Sequence, residues 1–117
     1  MYPADWRSMK DHRLIDARSL AFDRQIAARL RMEASLIVKA ADNLRRWLAS
    51  CVPGSRPDLL EWEKLIGGPF DTLLATLEGT DERSVRLRQS SPFCGILTRD
   101  ERNGILKEFQ ARDAAAA

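Results

Sequence analysis

The chain has 117 residues, of which 44% are hydrophobic and 31% are charged, with a formal net charge of +2. This balance is typical of one folded domain and argues against a disordered chain. No apolar run approaches the ~20 residues of a membrane-spanning helix, and the N-terminal residues lack the apolar core of a signal peptide. We therefore expect a single domain over residues 1–117, located in the cytoplasm, with both cysteines reduced and no membrane partner.

Helix signals cover nearly the whole chain, and no segment has a convincing strand pattern. Residues 1–13 read as a polar N-terminal arm anchored by Tyr2 and Trp6, and residues 114–117 as a frayed tail. Between them we predict helices over 16–31, 34–51, 56–67 and 69–77, a turn or two after Thr80, and a last helix from Thr98 to about residue 111. The expected fold class is all-α: a compact bundle of five or six short helices.

Two of these predictions rest on especially clear signals. In residues 34–51 the apolar side chains fill one arc of a helical wheel, and Leu44 and Trp47 lie in the middle of that arc. Thr98 and Glu101 have the spacing of a capping box, in which each side chain binds the other residue's backbone N–H. The first signal makes 34–51 the clearest helix prediction, and the second fixes where the last helix begins.

Two charged residues lie where the helical periodicity favours apolar side chains. Asp23 falls among the apolar positions of the first helix, and Arg102 among those of the last. Burying an ion without a partner costs several kcal/mol. We therefore expect one of three arrangements: a buried Asp23–Arg102 ion pair, pairing of each side chain with a partner chain, or two side chains at helix margins that reach water.

The charges are also unevenly distributed along the chain. Residues 1–50 carry ten lysines and arginines against six acids, residues 51–82 two against seven, and residues 83–117 seven against four. A basic–acidic–basic chain can neutralise itself when its middle packs against its ends. It can also present basic surfaces to an acidic partner.

Catalytic and metal-binding signals are weak. His12 is the only histidine, so one chain cannot assemble a histidine metal cluster or a Ser-His-Asp triad. Cys94 lies near several arginines that would favour its thiolate, but no base is placed beside it, and a small buried thiol is the simpler interpretation. We expect no metal, no cofactor and no enzymatic activity.

The segment 83–106 is the most unusual part of the sequence, because arginines surround a loop that also carries Phe93. We predict a binding site for a protein or a phosphate group on this segment, formed by Arg86, Arg88, Arg99, Ser90 and Ser91. Phe93 is expected either to enter the core or to anchor a partner, and we favour the core because Pro92 and Gly95 flank it.

Two kinds of partner fit this segment. Arginine and aromatic side chains are typical of protein interfaces, which favours another protein or a second copy of the chain. The alternative is a nucleic-acid-binding regulator. It is less favoured because the gap before the last helix is longer than the turn of a helix-turn-helix motif, and because Asp100 and Glu101 at the start of that helix would repel phosphate.

Four stretches also carry a resemblance: 12–16 (HRLID), 18–20 (RSL), 43–47 (NLRRW) and 86–93 (RLRQSSPF). In this combination the chain resembles small uncharacterised bacterial helical proteins, some of which accompany toxin–antitoxin or mobile-element genes. The resemblance implies a bacterial accessory protein, antitoxin-like at most, and assigns no site residues. The function expected is therefore non-enzymatic protein binding or regulation.

Overall fold

Six α-helices account for most of the chain in the computed structural model, which describes the backbone of residues 4–116 and the side chains of residues 15–112. The helices are α1 (Ala4–Met32), α2 (Ile37–Ser50), α3 (Arg56–Gly67), α4 (Phe70–Glu78), α5 (Glu82–Arg88) and α6 (Arg99–Ala116). Short 3₁₀ turns, Ala34–Leu36 and Pro53–Ser55, precede α2 and α3. Within residues 4–116 there is no strand, and the all-α prediction is confirmed.

Both terminal helices are longer than the sequence pattern indicates. α1 begins at Ala4 rather than at residue 16, so residues 4–13 continue the helix instead of forming a separate arm. These residues contain no glycine or proline, and an established helix propagates through polar residues without an apolar face. α6 likewise continues through the alanine-rich end to Ala116, since alanine has the highest helix propensity. The predicted anchors Tyr2 and Trp6 lie outside the described side chains.

Side-chain caps begin α5 and α6, whereas α2, α3 and α4 begin without a side-chain cap hydrogen bond. Thr98 and Glu101 form the predicted capping box: the Thr98 N–H donates to Glu101 Oε1 at 2.8 Å, and the Glu101 N–H donates to Thr98 Oγ1 at 3.1 Å. At α5 the cap is Asp81 rather than Thr80. Its carboxylate accepts hydrogen bonds from the Ser84 N–H and hydroxyl, which lowers the pKa of Asp81.

The long helix α1 organises the bundle. α4, α5 and α6 all pack against α1, while α2 packs mainly against α3, which in turn contacts α4. The core is almost entirely aliphatic and draws on every helix from α1 to α5 and on the loop before α6: Ile26, Ala27, Leu30, Ala40, Leu44, Leu59, Trp62, Leu65, Leu73, Leu74, Leu77, Leu87, Phe93 and Ile96. Ile15 of α1 is about half exposed, so the buried face of this helix begins further along the chain.

The fold generates a test of the core face of α2. Leu44 is 3% exposed, whereas Val38 on the same helix is 57% exposed. We expect Leu44→Ala to lower the free energy of unfolding by about 2–5 kcal/mol, because it removes buried methyl groups and leaves a cavity. Val38→Ala should change it by no more than ~0.5 kcal/mol. Denaturant unfolding of the two variants measures both, and a loss below ~1 kcal/mol for Leu44→Ala would contradict the assigned face.

Candidate functional site

The loop between α5 and α6 is held against the core by Phe93. The side chain of Phe93 is 3% exposed, and its ring meets the Trp62 ring edge-on, with centroids 5.6 Å apart and planes at 72°. Gly95 has a φ of +84°, a left-handed conformation that favours glycine and lets the chain turn back toward Ile96. The preferred prediction that Phe93 belongs to the core is confirmed.

Asn43 of α2 binds the same loop from the other side. Its Nδ2 group donates hydrogen bonds to the carbonyl oxygens of Pro92, at 2.9 Å, and Cys94, at 3.1 Å. Arg46, one turn along α2, in turn donates to Asn43 Oδ1. Sequence reasoning placed Asn43 on the solvent side of α2. Its role became visible only in three dimensions, since the two carbonyls lie about fifty residues away in sequence.

The predicted binding arginine Arg86 is neutralised by α3. Arg86 forms ion pairs with Asp58 and with Glu61, the latter at 3.0 Å, and Arg83 binds Glu61 at 3.0 Å. The hydrogen bond from Arg83, followed by that from Arg86, lowers the pKa of Glu61. Here the acidic middle of the chain packs against a basic end, which is one of the two arrangements that the charge distribution allows.

Arg88 has a structural role at the end of α4. Its guanidinium donates to the carbonyl oxygens of Leu77, at 3.0 Å, and Gly79, at 2.6 Å, and these belong to the helix end, where carbonyls lack partners within the helix. Gly79 is required here, because a Cβ would lie 2.6 Å from the side-chain oxygens of Asp81 and Ser84. The prediction that Arg88 contacts an external partner is not supported by this geometry.

The remaining predicted site residues do not gather around one point. Arg99 is exposed at the start of α6. Ser90 and Ser91 are half-buried in the loop, where Ser91 Oγ accepts a weak hydrogen bond, 3.4 Å long, from the Phe93 N–H. The five-residue site predicted from the sequence is therefore divided: Arg86 lies against α3, Arg88 against α4, and only the two serines share a concave surface.

That concave surface is a groove of about 500 Å³ between the end of α2, the start of α3 and the loop. We call it the α2 groove. Its lining is uncharged and combines apolar, hydroxyl, thiol and amide groups: Trp47, Ser50, Cys51, Val52, Ser55, Leu59, Gln89, Ser90, Ser91 and Cys94. Both cysteines are free; Cys51 is half-buried, and Cys94 is exposed rather than buried as expected.

The predicted ion pair between Asp23 and Arg102 is not formed. Arg102 is exposed, with its guanidinium 5.9 Å from the centre of the Phe22 ring, so it lies at a helix margin. Asp23 is 5% exposed, and its Oδ2 atom has no hydrogen-bond partner among the described residues. Burial raises the pKa of Asp23 to about 7, and the nearby charge of Arg88 acts in the opposite direction.

Comparison with known proteins adds no family to this description: no protein-family model matches the chain, and no curated protein or solved structure is significantly similar to it. In the described residues no helix is both long and apolar enough to cross a membrane. The same residues hold no cluster of three or more potential metal ligands. The α2 groove is the candidate functional site of the chain.

The first prediction from this site concerns Phe93. We expect Phe93→Ala to lower the free energy of unfolding by about 3–5 kcal/mol, because it removes a buried ring that packs on Trp62. Cys94→Ala, at the exposed neighbouring position, is the matched control and should shift it by no more than ~0.5 kcal/mol. Urea denaturation measures both variants, and similar small effects would mean that the ring is not part of the core.

The second prediction concerns the pH dependence that Asp23 confers. Its pKa is about 7 in the folded protein against an ordinary 3.8, so between pH ~4 and ~7 the folded state holds more protons than the unfolded state. This group therefore lowers stability as the pH rises through that window. Each pKa unit corresponds to about 1.4 kcal/mol, so Asp23→Asn should stabilise the protein by about 2–4 kcal/mol at pH 8 and much less at pH 4.

The measurement is chemical unfolding at intervals from pH 4 to pH 8. Asp42→Asn makes the same chemical change at a half-exposed site on α2 and is the control, which should not give a comparable stabilisation at pH 8. The carboxyl groups of Glu61, Glu78 and Glu101 have pKa values lowered from an ordinary 4.5, so their contribution is lost at more acidic pH. A parent profile that is flat between pH 5 and 7 would contradict the assignment to Asp23.

Proposed function

We propose that this chain is a non-enzymatic, cytoplasmic accessory protein that binds a peptide segment of another protein in the α2 groove. The observation that carries the proposal is the groove itself. Its volume of about 500 Å³ lies within the ~300–1,000 Å³ typical of binding clefts, and it is open along one side, as an extended segment requires.

The lining suits a peptide. Trp47 and Val52 offer apolar surface for a side chain, and tryptophan is among the residues that contribute most to protein interfaces. The hydroxyl groups of Ser50 and Ser90 can bind the donors and acceptors of a peptide backbone. Val52 remains 66% exposed in the free protein, so a bound segment would remove further apolar surface from water.

The walls of the groove are fixed before any ligand binds. Asn43 ties the loop wall to α2 through the Pro92 and Cys94 carbonyls. Arg56 donates to the Leu48 carbonyl at 3.3 Å and so ties the start of α3 to the end of α2. A groove with fixed walls loses little conformational entropy on binding, which leaves more of the contact energy for affinity.

The other functional classes receive less support from the same residues. None of the ten lining side chains carries a charge or an imidazole, so general acid–base catalysis lacks an obvious base there. Arg86 is paired with carboxylates and Arg88 with backbone carbonyls, which weakens the nucleic-acid alternative. Regulation of a partner protein, in the manner of an antitoxin, is the most concrete form of the proposed function, and it also follows from the bacterial resemblance.

The experiment is a selection of 12-residue peptides from a random display library on the immobilised 117-residue chain. The affinity of selected peptides is then measured by fluorescence anisotropy for the parent, Val52→Ser and Val38→Ser. We expect Val52→Ser to weaken binding about threefold to tenfold, because it removes apolar contact from the groove. Val38→Ser makes the same change at a similarly exposed valine outside the groove and should leave the affinity unchanged.

Equal affinities for the two valine variants would contradict the proposed site. Duplex DNA serves as the competing ligand in a parallel titration at physiological salt, where we expect only weak binding that falls steeply with salt. Tight, sequence-selective DNA binding with no groove-dependent peptide would replace the proposal with the nucleic-acid alternative.

A further inference from the structure

A second, smaller groove lies next to the α2 groove, on the other side of the α5–α6 loop. It has a volume of about 180 Å³, and Phe22, Leu97 and Arg102 are among the residues that line it. Ser91 and Cys94 line both grooves, so the two lie on either side of the same short stretch of loop. The two grooves are therefore neighbours separated by the loop, and a segment that crosses the loop can place one apolar side chain in each groove.

Three arginines, Arg46, Arg56 and Arg102, lie in or beside these two grooves. Neither groove has an acidic residue in its lining. Arg46 and Arg56 flank the α2 groove: Arg46 binds Asn43, which holds the loop wall, and Arg56 follows the lining residue Ser55. Arg102 lies in the second groove, over the Phe22 ring.

These three arginines differ from Arg83 and Arg86 of α5. Arg83 and Arg86 are bound by carboxylates of α3. In the part of the chain that the structure describes, no carboxylate lies within ion-pair distance of Arg46, Arg56 or Arg102, and all three are exposed. Their guanidinium groups therefore keep donors directed to solvent that a carboxylate can accept in a bidentate manner.

From this arrangement we infer that the partner segment is an acidic peptide: apolar side chains seated in the two grooves, with carboxylates beside them that bind Arg46, Arg56 and Arg102. The inference rests on the proposed function and adds the chemistry of the partner to it. The uncharged lining favours apolar side chains of the peptide, while the positive charge of the three arginines disfavours basic segments.

The test uses the peptides selected from the random library and three charge-reversal variants of the 117-residue chain. Arg46→Glu and Arg102→Glu change the two grooves separately. Arg45→Glu is the matched control, since Arg45 neighbours Arg46 in sequence but pairs with Asp42 at 3.3 Å and lines neither groove. Each variant is first checked for an unchanged melting temperature, because all three side chains are exposed.

We expect the selected peptides to be enriched in aspartate and glutamate next to leucine, phenylalanine or tryptophan. Arg46→Glu and Arg102→Glu should each weaken binding about threefold to fivefold at low salt, because each change removes an exposed ion pair with the peptide. The loss should shrink as the ionic strength rises, since exposed charges are screened. Arg45→Glu should have less than a twofold effect.

Two results would overturn the inference in different ways. Peptides that bind less tightly to Val52→Ser, but are neutral or basic and insensitive to Arg46→Glu, would retain the groove as a peptide site and reject the acidic partner. A library that yields no groove-dependent peptide, or a stable dimer that Val52→Ser dissociates, would reject both this inference and the proposed function, the latter result assigning the groove to a second copy of the chain.

Discussion

The burial of Trp62 is the constraint on which the rest of the structure depends. Its side chain is fully buried, so the indole N–H must find an acceptor inside the protein. The carbonyl oxygen of Leu87, near the end of α5, accepts it at 2.9 Å, and the Phe93 ring packs edge-on against the indole. One side chain of α3 thereby fixes the end of α5 and the start of the following loop.

The α2 groove is a consequence of that arrangement. Trp62 and Phe93 hold the loop on its core side, and Asn43 holds it from α2. Residues of the loop therefore form one wall of the groove, across from Trp47 and Cys51. The groove is therefore a product of core packing, and Arg83, Arg86 and Arg88 do not enter its uncharged lining. Arg86 and Arg83 bind carboxylates of α3, and Arg88 binds the carbonyls at the end of α4.

Asp23 shows how closely the arginine-rich segment is connected to the core. Its carboxyl group lies buried in α1, near enough to Arg88 for the two charges to interact. The Arg88 guanidinium donates its hydrogen bonds to the carbonyl oxygens of Leu77 and Gly79. The buried carboxyl therefore gains attraction from a neighbouring charge but retains an oxygen without a hydrogen bond. Burial dominates the balance, which explains why its pKa is raised despite an adjacent arginine.

The sequence by itself determined the helical class, the apolar face around Leu44, the capping box at Thr98 and, to within one residue, the bounds of α3 and α4. All of these depend on residues within one or two helical turns, so the periodicity and the caps carry the information. Only the tertiary structure decided which arginines are neutralised, that Arg102 lies over Phe22 instead of pairing with Asp23, and that Ser90 and Ser91 share a groove with Trp47. These depend on contacts between residues distant in sequence, and a helical pattern gives the face of each helix but not the neighbour that it meets.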